Sequence, residues 1–150
     1  MPKKSLLHRI TRVLVEVLFY AGIVACAALP FIMPELVSFL YYDETMINWY
    51  IFIVFPAGVC TVFILFQLKT MLKSLVSGDP FTDKNVDCLR RCGFASFLIS
   101  IFFLIRILHT LTVASTLIVV IFALLGLFSL TMKDVFKQAV FYKKENDWTV

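Results

Sequence analysis

Charge is scarce in this chain. Fourteen Lys and Arg and ten Asp and Glu make up only 16% of 150 residues, and there are two His and five Gly. So little polar surface cannot clothe a soluble domain of this size, which excludes the ordinary water-soluble globular class. A glycine-rich phosphate loop, a Ser/His/Asp constellation and paired catalytic carboxylates are all missing, so nothing in the sequence points to an enzyme. Regular polar–apolar alternation is missing too. "FASFLISIFFLI" and "STLIVVIFALLGLF" have no polar residue at every second place, which excludes a transmembrane barrel and leaves helices to satisfy the backbone in lipid. No internal repeat, low-complexity tract or second soluble domain is visible, so residues 1–150 read as one membrane domain.

Hydrocarbon fills the rest: 61% of residues are hydrophobic, 16 are Phe, and the mean hydropathy is +0.92. A bilayer core of about 30 Å needs about 20 apolar helical residues. Four runs qualify, at about 13–31, 49–68, 93–108 and 111–130, leaving a polar loop at 69–92 and a tail at 131–150. The expected fold is an all-α membrane protein, a four-helix transmembrane bundle. The first run has features of a secretory signal, with Lys3, Lys4, Arg9 and Arg12 before it and "IVAC" inside it. Glu16 within its core and its continuation to Phe31 favour an uncleaved first helix.

The bases fix the orientation. Four precede the first run, five lie between the second and third (Lys69, Lys73, Lys84, Arg90, Arg91), and four follow the last (Lys133, Lys137, Lys143, Lys144). With alternating crossings, 13 of 14 bases share one side, which the positive-inside tendency makes cytosolic, with both termini inside. The opposite loop "PELVSFLYYDETMINWY" holds Glu35, Asp43 and Glu44 without a base, and Tyr41, Tyr42, Trp49 and Tyr50 suit an aromatic interface belt. The positive net charge thus reports topology and attraction to anionic lipid heads rather than direct nucleic-acid binding.

Chemistry is thin. Cys26 and Cys60 fall within apolar runs and behave as small apolar residues. Cys88 and Cys92 sit one helical turn apart, but a structural zinc site needs four ligands and His8 is the only cytosolic histidine, so packing is the expected role and no cofactor or metal is expected. Three ionisable groups fall in or beside the spans: Glu16, Arg106 and His109. Each lies within about a turn of a helix end, where snorkelling explains Glu16 and Arg106, and Arg106 is within reach of Glu35 near the outer surface. Asp79, Asp83 and Asp87 recur every four residues and read as a solvated helix face.

Packing signals are clearer. Ala21, Ala25 and Ala28 form a small-residue stripe, and Ser96 and Ser100 repeat a four-residue spacing, so neighbouring helices can approach closely. Pro56 removes a backbone donor, so the second helix is expected to kink. In "SGDPFTDKN", Gly78 allows positive φ, Asp79 or Thr82 can cap, Pro80 suits a first turn, and Asp83 favours a helix N-terminus. Phe81, Val86 and Leu89 are apolar in polar surroundings and need a surface to cover. In "MKDVFKQAVFYKKENDWTV", Val135, Phe136, Ala139 and Val140 share a face, so the fourth helix should continue past the membrane as an amphipathic extension.

These residues resemble the YoaS-type bacterial integral membrane proteins, a family of unknown function. The resemblance rests on Gly78, Pro80, Phe81, Asn85, Leu89, Arg90 and Gly93 of the loop, on "FPAG" at 55–58, and on the terminal "KQAVFYKKENDWTV", where Trp148 replaces the family's usual leucine. It implies four membrane helices in a bacterial cytoplasmic membrane. Such proteins are often encoded beside a small helix-turn-helix regulator, which implies a cytosolic DNA-binding partner.

The expected site is therefore the cytosolic face: Asp79, Pro80, Phe81, Asn85, Leu89 and Arg90 of the 78–91 loop with Glu145, Asn146 and Asp147 of the tail. Two roles stand open there. Asn85 and Arg90 can bind the tail carboxylates and lock the helices' inner end, or the same face can dock the regulator. A small-molecule, ion or lipid transporter or sensor within the bundle is the alternative, weakened by the lack of a midplane charge. Membrane lipids are expected partners, and self-association stays open.

Overall fold

A computed structural model describes the backbone of residues 6–39 and 44–148; the side chains of 6–9, 36–38, 44–48, 147 and 148 are not among the described ones. Four helices run in order: α1 (Leu6–Phe39), α2 (Glu44–Val76), α3 (Asp83–His109) and α4 (Val113–Trp148). At 1.5 Å per residue even α3, with 27 residues, spans about 40 Å, and α4, with 36, about 54 Å. All four are long and apolar enough to cross a bilayer.

Every helix overruns the apolar run that announced it. α1 continues through Pro30 and Pro34 to Phe39, and α2 begins at Glu44, so most of the expected outer loop is helical. The expected 69–92 loop shrinks to residues 77–82, because α2 persists to Val76 and α3 starts at Asp83. Polar residues at a helix end are as compatible with helix in water as apolar ones are in lipid, and hydropathy cannot see the difference. Tyr41, Tyr42 and Asp43 lie outside the described residues.

The turn between α2 and α3 is built from local chemistry. Gly78 takes φ +90°, where any side chain is strained, and its N–H reaches Leu75 O at 3.3 Å to close α2. Thr82 caps α3 by accepting from the Asn85 N–H, and Asp83 sits in the first turn. At the other end of α3, the Thr110 N–H bonds Arg106 O at 2.9 Å, and α4 begins three residues later.

Helices pack in chain order: α1 on α2, α2 on α3, α3 on α4, with no other pair in close contact among the described residues. The short turns make these pairs antiparallel. α3 lies between α2 and α4 and carries Asn85, Cys88, Cys92, Gly93, Ala95, Ser96, Ile99 and Ser100 as buried residues. The end bearing most of the bases is called the inner end below.

Two seams set the spacing. Between α3 and α4, a Cβ on Gly93 would lie 2.9 Å from Leu130, and one on Gly126 would lie 3.1 Å from the Phe97 ring and 3.2 Å from Gly93 O. The backbones meet where neither residue has a side chain. Ser96 is fully buried, and the Ser100 hydroxyl donates across to Val119 O at 3.1 Å, so the serine spacing does mark a helix interface. The alanine stripe does not. Ala21 and Ala25 are exposed and only Ala28 is half-buried, and α1 meets α2 through Gly22, Cys26 and Leu29 instead, Gly22 facing Val62 and Leu65 and Cys26 facing Gly58. The facing row is one position along, because a glycine permits closer approach than the neighbouring alanine.

Candidate functional site

At the inner end the turn 77–82 is pinned to its own helices. Asn85 is 1% exposed; its Oδ1 accepts from the Ser74 hydroxyl at 2.8 Å and its Nδ2 donates to Pro80 O at 2.6 Å. One amide thus ties the end of α2, the turn and the start of α3. Against this turn lies the extension of α4. Phe81 packs on Phe136 with ring centroids 5.3 Å apart, the Lys143 Nζ donates to Asp79 Oδ1 at 2.7 Å, and the Lys144 Nζ donates to Asp83 Oδ2 at 2.9 Å. The four charged side chains are largely exposed, so each pair contributes only about 0.2–1 kcal/mol, and the ring pair about 0.5–1.5 kcal/mol. The result is a clasp that holds α4 to the turn and is weak enough to open.

Farther into α1 and α2, Lys69 bonds Glu16 at 3.1 Å while its ammonium lies 5.1 Å and 5.0 Å from the Phe19 and Tyr20 ring centroids. Glu16 therefore has a specific partner rather than merely reaching for water.

The outer end holds a second cluster. Arg106 lies on α3 with α2 on one side and α4 on the other. Its guanidinium carbon is 4.7 Å from the centroid of the Tyr50 ring, and Nη1 donates to the Ser115 hydroxyl. Ser115 is fully buried and its Oγ is 2.7 Å from Thr112 Oγ1. One turn away, His109 stacks on Trp49 at 5.0 Å between centroids. The Arg106 Nε is buried with no acceptor, the only such side-chain atom among the described residues.

A family model for a protein of unknown function, DUF2975, matches residues 11–150. The chain belongs to the DUF2975 family. That match takes in both clusters, and it agrees with the resemblance drawn from the loop and tail residues. No curated protein and no solved structure matches the chain. This DUF2975 member is accordingly a protein with four helices capable of crossing a membrane, from a family to which no activity is attached.

Within it, Asp79, Phe81 and Asn85 come together at the clasp, with Pro80 contributing its carbonyl. Leu89 is half-buried on the next turn of α3. Among the described side chains, the expected arrangement of the lock does not form. Arg90 pairs with Asp87 of its own helix at 3.0 Å, and Asn85 is consumed by the turn. The polarity across the contact is reversed, with the tail supplying cations and the turn supplying acids, because the register of α4 brings Lys143 and Lys144 opposite the turn. Glu145 and Asn146 follow on α4, each with interactions of its own. The side chain of Asp147 lies outside the described residues. Sequence reasoning missed Lys143 and Lys144 as site residues, although two adjacent lysines on the helix face that carries Phe136 and Val140 were the available signal. It missed the Arg106 junction as well, since Ser115 and Thr112 carry no mark of their own. Cys88 and Cys92 are buried in α3, where thiols are inert packing groups.

Proposed function

We infer that this chain is a multi-pass protein of a bacterial cytoplasmic membrane that docks a soluble partner on its inner end, the partner being a small helix-turn-helix DNA-binding regulator. One observation carries the reading. Residues 131–148 continue α4 about 27 Å beyond its expected span, and there Val135, Phe141 and Tyr142 are 50%, 59% and 67% exposed while Val140 is buried. Beyond the hydrocarbon, lipid no longer covers such side chains, and a protein surface is the natural cover. The clasp supports the same reading, since exposed ion pairs between Lys143, Lys144 and the acids of the turn can exchange for a partner's charges at small cost. Locking and docking then coexist: the tail rests on Asp79 and Asp83 until a partner takes its place. The partner binds DNA; this chain contacts no nucleic acid itself.

The test is site-specific photocrosslinking in native membranes, with the photoreactive residue at Tyr142 or, as the lipid-facing control, at Leu124. A helix-turn-helix protein crosslinked from Tyr142 and not from Leu124 supports docking. Lipid adducts alone from both positions would sink it, because the extension would then lie along the membrane surface.

A further inference from the structure

We propose that α4 pairs, parallel and in register, with α4 of a second copy of this chain, along the row of side chains from Leu117 to Tyr142 on the face turned away from α3.

Among the described residues α4 touches no helix but α3, through a face on which Ser115, Gly126, Ser129 and Val140 are buried. Two residues further on, about 200° around the helix, a second row starts at Leu117 and proceeds in alternate steps of four and three residues to Tyr142. Its six apolar members are 50–67% exposed, and its two polar members, Thr131 and Gln138, are exposed as well. A mean spacing of 3.5 residues is the repeat that keeps one helix against another in a left-handed supercoil, and lipid chains impose no such repeat.

Lipid does not account for the inner part of the row. On α3 the outward row of the same spacing runs through Ile101, Leu98 and Phe94 and then, on leaving the apolar stretch, turns to Arg91 and Asp87. On α4 it stays uncharged for about three more turns, through Val135, Gln138 and Tyr142, although six of the residues 133–145 around it are charged. Two of those six, Lys143 and Lys144, are drawn aside to Asp79 and Asp83. The cover must therefore follow α4 from hydrocarbon into water in one register.

A soluble protein reaches only the last turns of the row. A second α4 reaches all of it, because both copies insert the same way and a two-fold axis along the membrane normal sets the two rows face to face. The polar members suit this arrangement. Thr131 already satisfies its hydroxyl on Leu127 O at 2.9 Å, and Gln138 meets its own symmetry mate, where an amide both donates and accepts and so fixes the register. Eight side chains with much of their surface free offer on the order of 800 Å² per copy, the share each partner gives to a standard stable interface. The pairing does not rest on the docking reading, but Val135 and Tyr142 serve both, so a pair and a docked regulator exclude one another there.

The purified full chain is reconstituted at high lipid excess in phosphatidylethanolamine–phosphatidylglycerol vesicles and oxidised with copper phenanthroline, with no regulator present. Single variants carry the new thiol in the row, at Leu124→Cys or Val135→Cys, or off it at exposed positions, Leu98→Cys on α3 and Lys137→Cys on α4; the parent reports any linkage through its own cysteines. The expected result is a disulfide-linked species at twice the 17.2 kDa of one chain, formed at least tenfold faster from the row than from Leu98→Cys, Lys137→Cys or the parent. In single-molecule photobleaching, Gln138→Lys, an exposed change that leaves the single chain folded, should weaken pairing about tenfold by setting like charges across the axis. No linkage from the row, equal linkage from Leu98→Cys or Lys137→Cys, or a Gln138→Lys protein that pairs as the parent does overturns the proposal. None of these outcomes bears on docking, whose own test is the regulator crosslinked from Tyr142 in native membranes.

Discussion

The α3–α4 seam makes a prediction whose sign depends on fractions of an ångström. In a helix interior, replacing Gly by Ala gains about 0.5–1 kcal/mol from backbone entropy alone. At Gly22 that gain should appear, because a new Cβ meets Leu65 at 3.4 Å and Val62 at 3.5 Å, ordinary contact distances. At Gly126 it should be reversed. A Cβ there would stand 3.1 Å from Phe97 and 3.2 Å from Gly93 O, and the carbonyl belongs to a backbone that cannot step aside without moving α3. Overpacking of this kind costs about 1–3 kcal/mol, so Gly126→Ala should be net destabilising by up to about 2 kcal/mol after the entropic gain. Gly93→Ala meets both Leu130 Cγ and Cδ2 at 2.9 Å and Gly126 O at 3.3 Å, closer than any contact at Gly126, so a loss at least as large is expected. The double variant should lose less than the sum, since both contacts push apart the same two helices and the second acts on a seam already opened. Reversible unfolding in mixed micelles measures all four. If Gly126→Ala stabilises as much as Gly22→Ala, the helices are not in backbone contact and the seam is wrong.

Three further outcomes follow from the inner end. Asn85→Ala removes both side-chain bonds of a buried amide and should cost about 1–3 kcal/mol, with faster hydrogen exchange over residues 77–82; unchanged exchange would show that the turn is held by something else. A double-mutant cycle of Asp79→Ala and Lys143→Ala should give a coupling below about 1 kcal/mol that fades by about 1 M salt, and a larger, salt-insensitive coupling would contradict an exposed clasp. Cys88 and Cys92 should resist maleimide in the folded protein and react on unfolding, because both are buried; labelling of either at the rate of an exposed thiol would refute their placement.

The existence, number and order of the helices were legible because 20-residue apolar runs have few alternatives in lipid. Their ends were not. "SGDPFTDKN" carries turn and cap signals that the structure uses as read, with Gly78 at positive φ and Thr82 as the cap, yet the flanking 69–76 and 83–92 segments looked like loop only because they are polar. The clasp was half legible. Its members on the turn stood out by residue type, whereas the partners of Asp79 and Asp83 depend on how far α4 runs and in what register, a tertiary fact with no local trace. The pairing of Glu16 with Lys69 is of the same kind, fixed by the antiparallel α1–α2 register.

α3 explains why polarity misled. It is the least apolar of the four candidate spans and the most buried, the reverse of what a soluble core would show. In a bilayer the surrounding lipid is as apolar as Leu, so nothing drives hydrocarbon inward, and association rests on close packing and on hydrogen bonds between helices. The residues that make such contacts are small or polar: Gly93 against Gly126, Ser100 on Val119 O, Arg106 on Ser115 and Asn85 on Ser74. α3 collects these residues along its seams with α2 and with α4 and loses hydropathy, while α1 keeps its apolar faces turned outward. The polar groups of both clusters accordingly sit near opposite ends of α3, Asn85 tying it to α2 and Arg106 tying it to α4, and these contacts, more than any motif, join α3 to its neighbours.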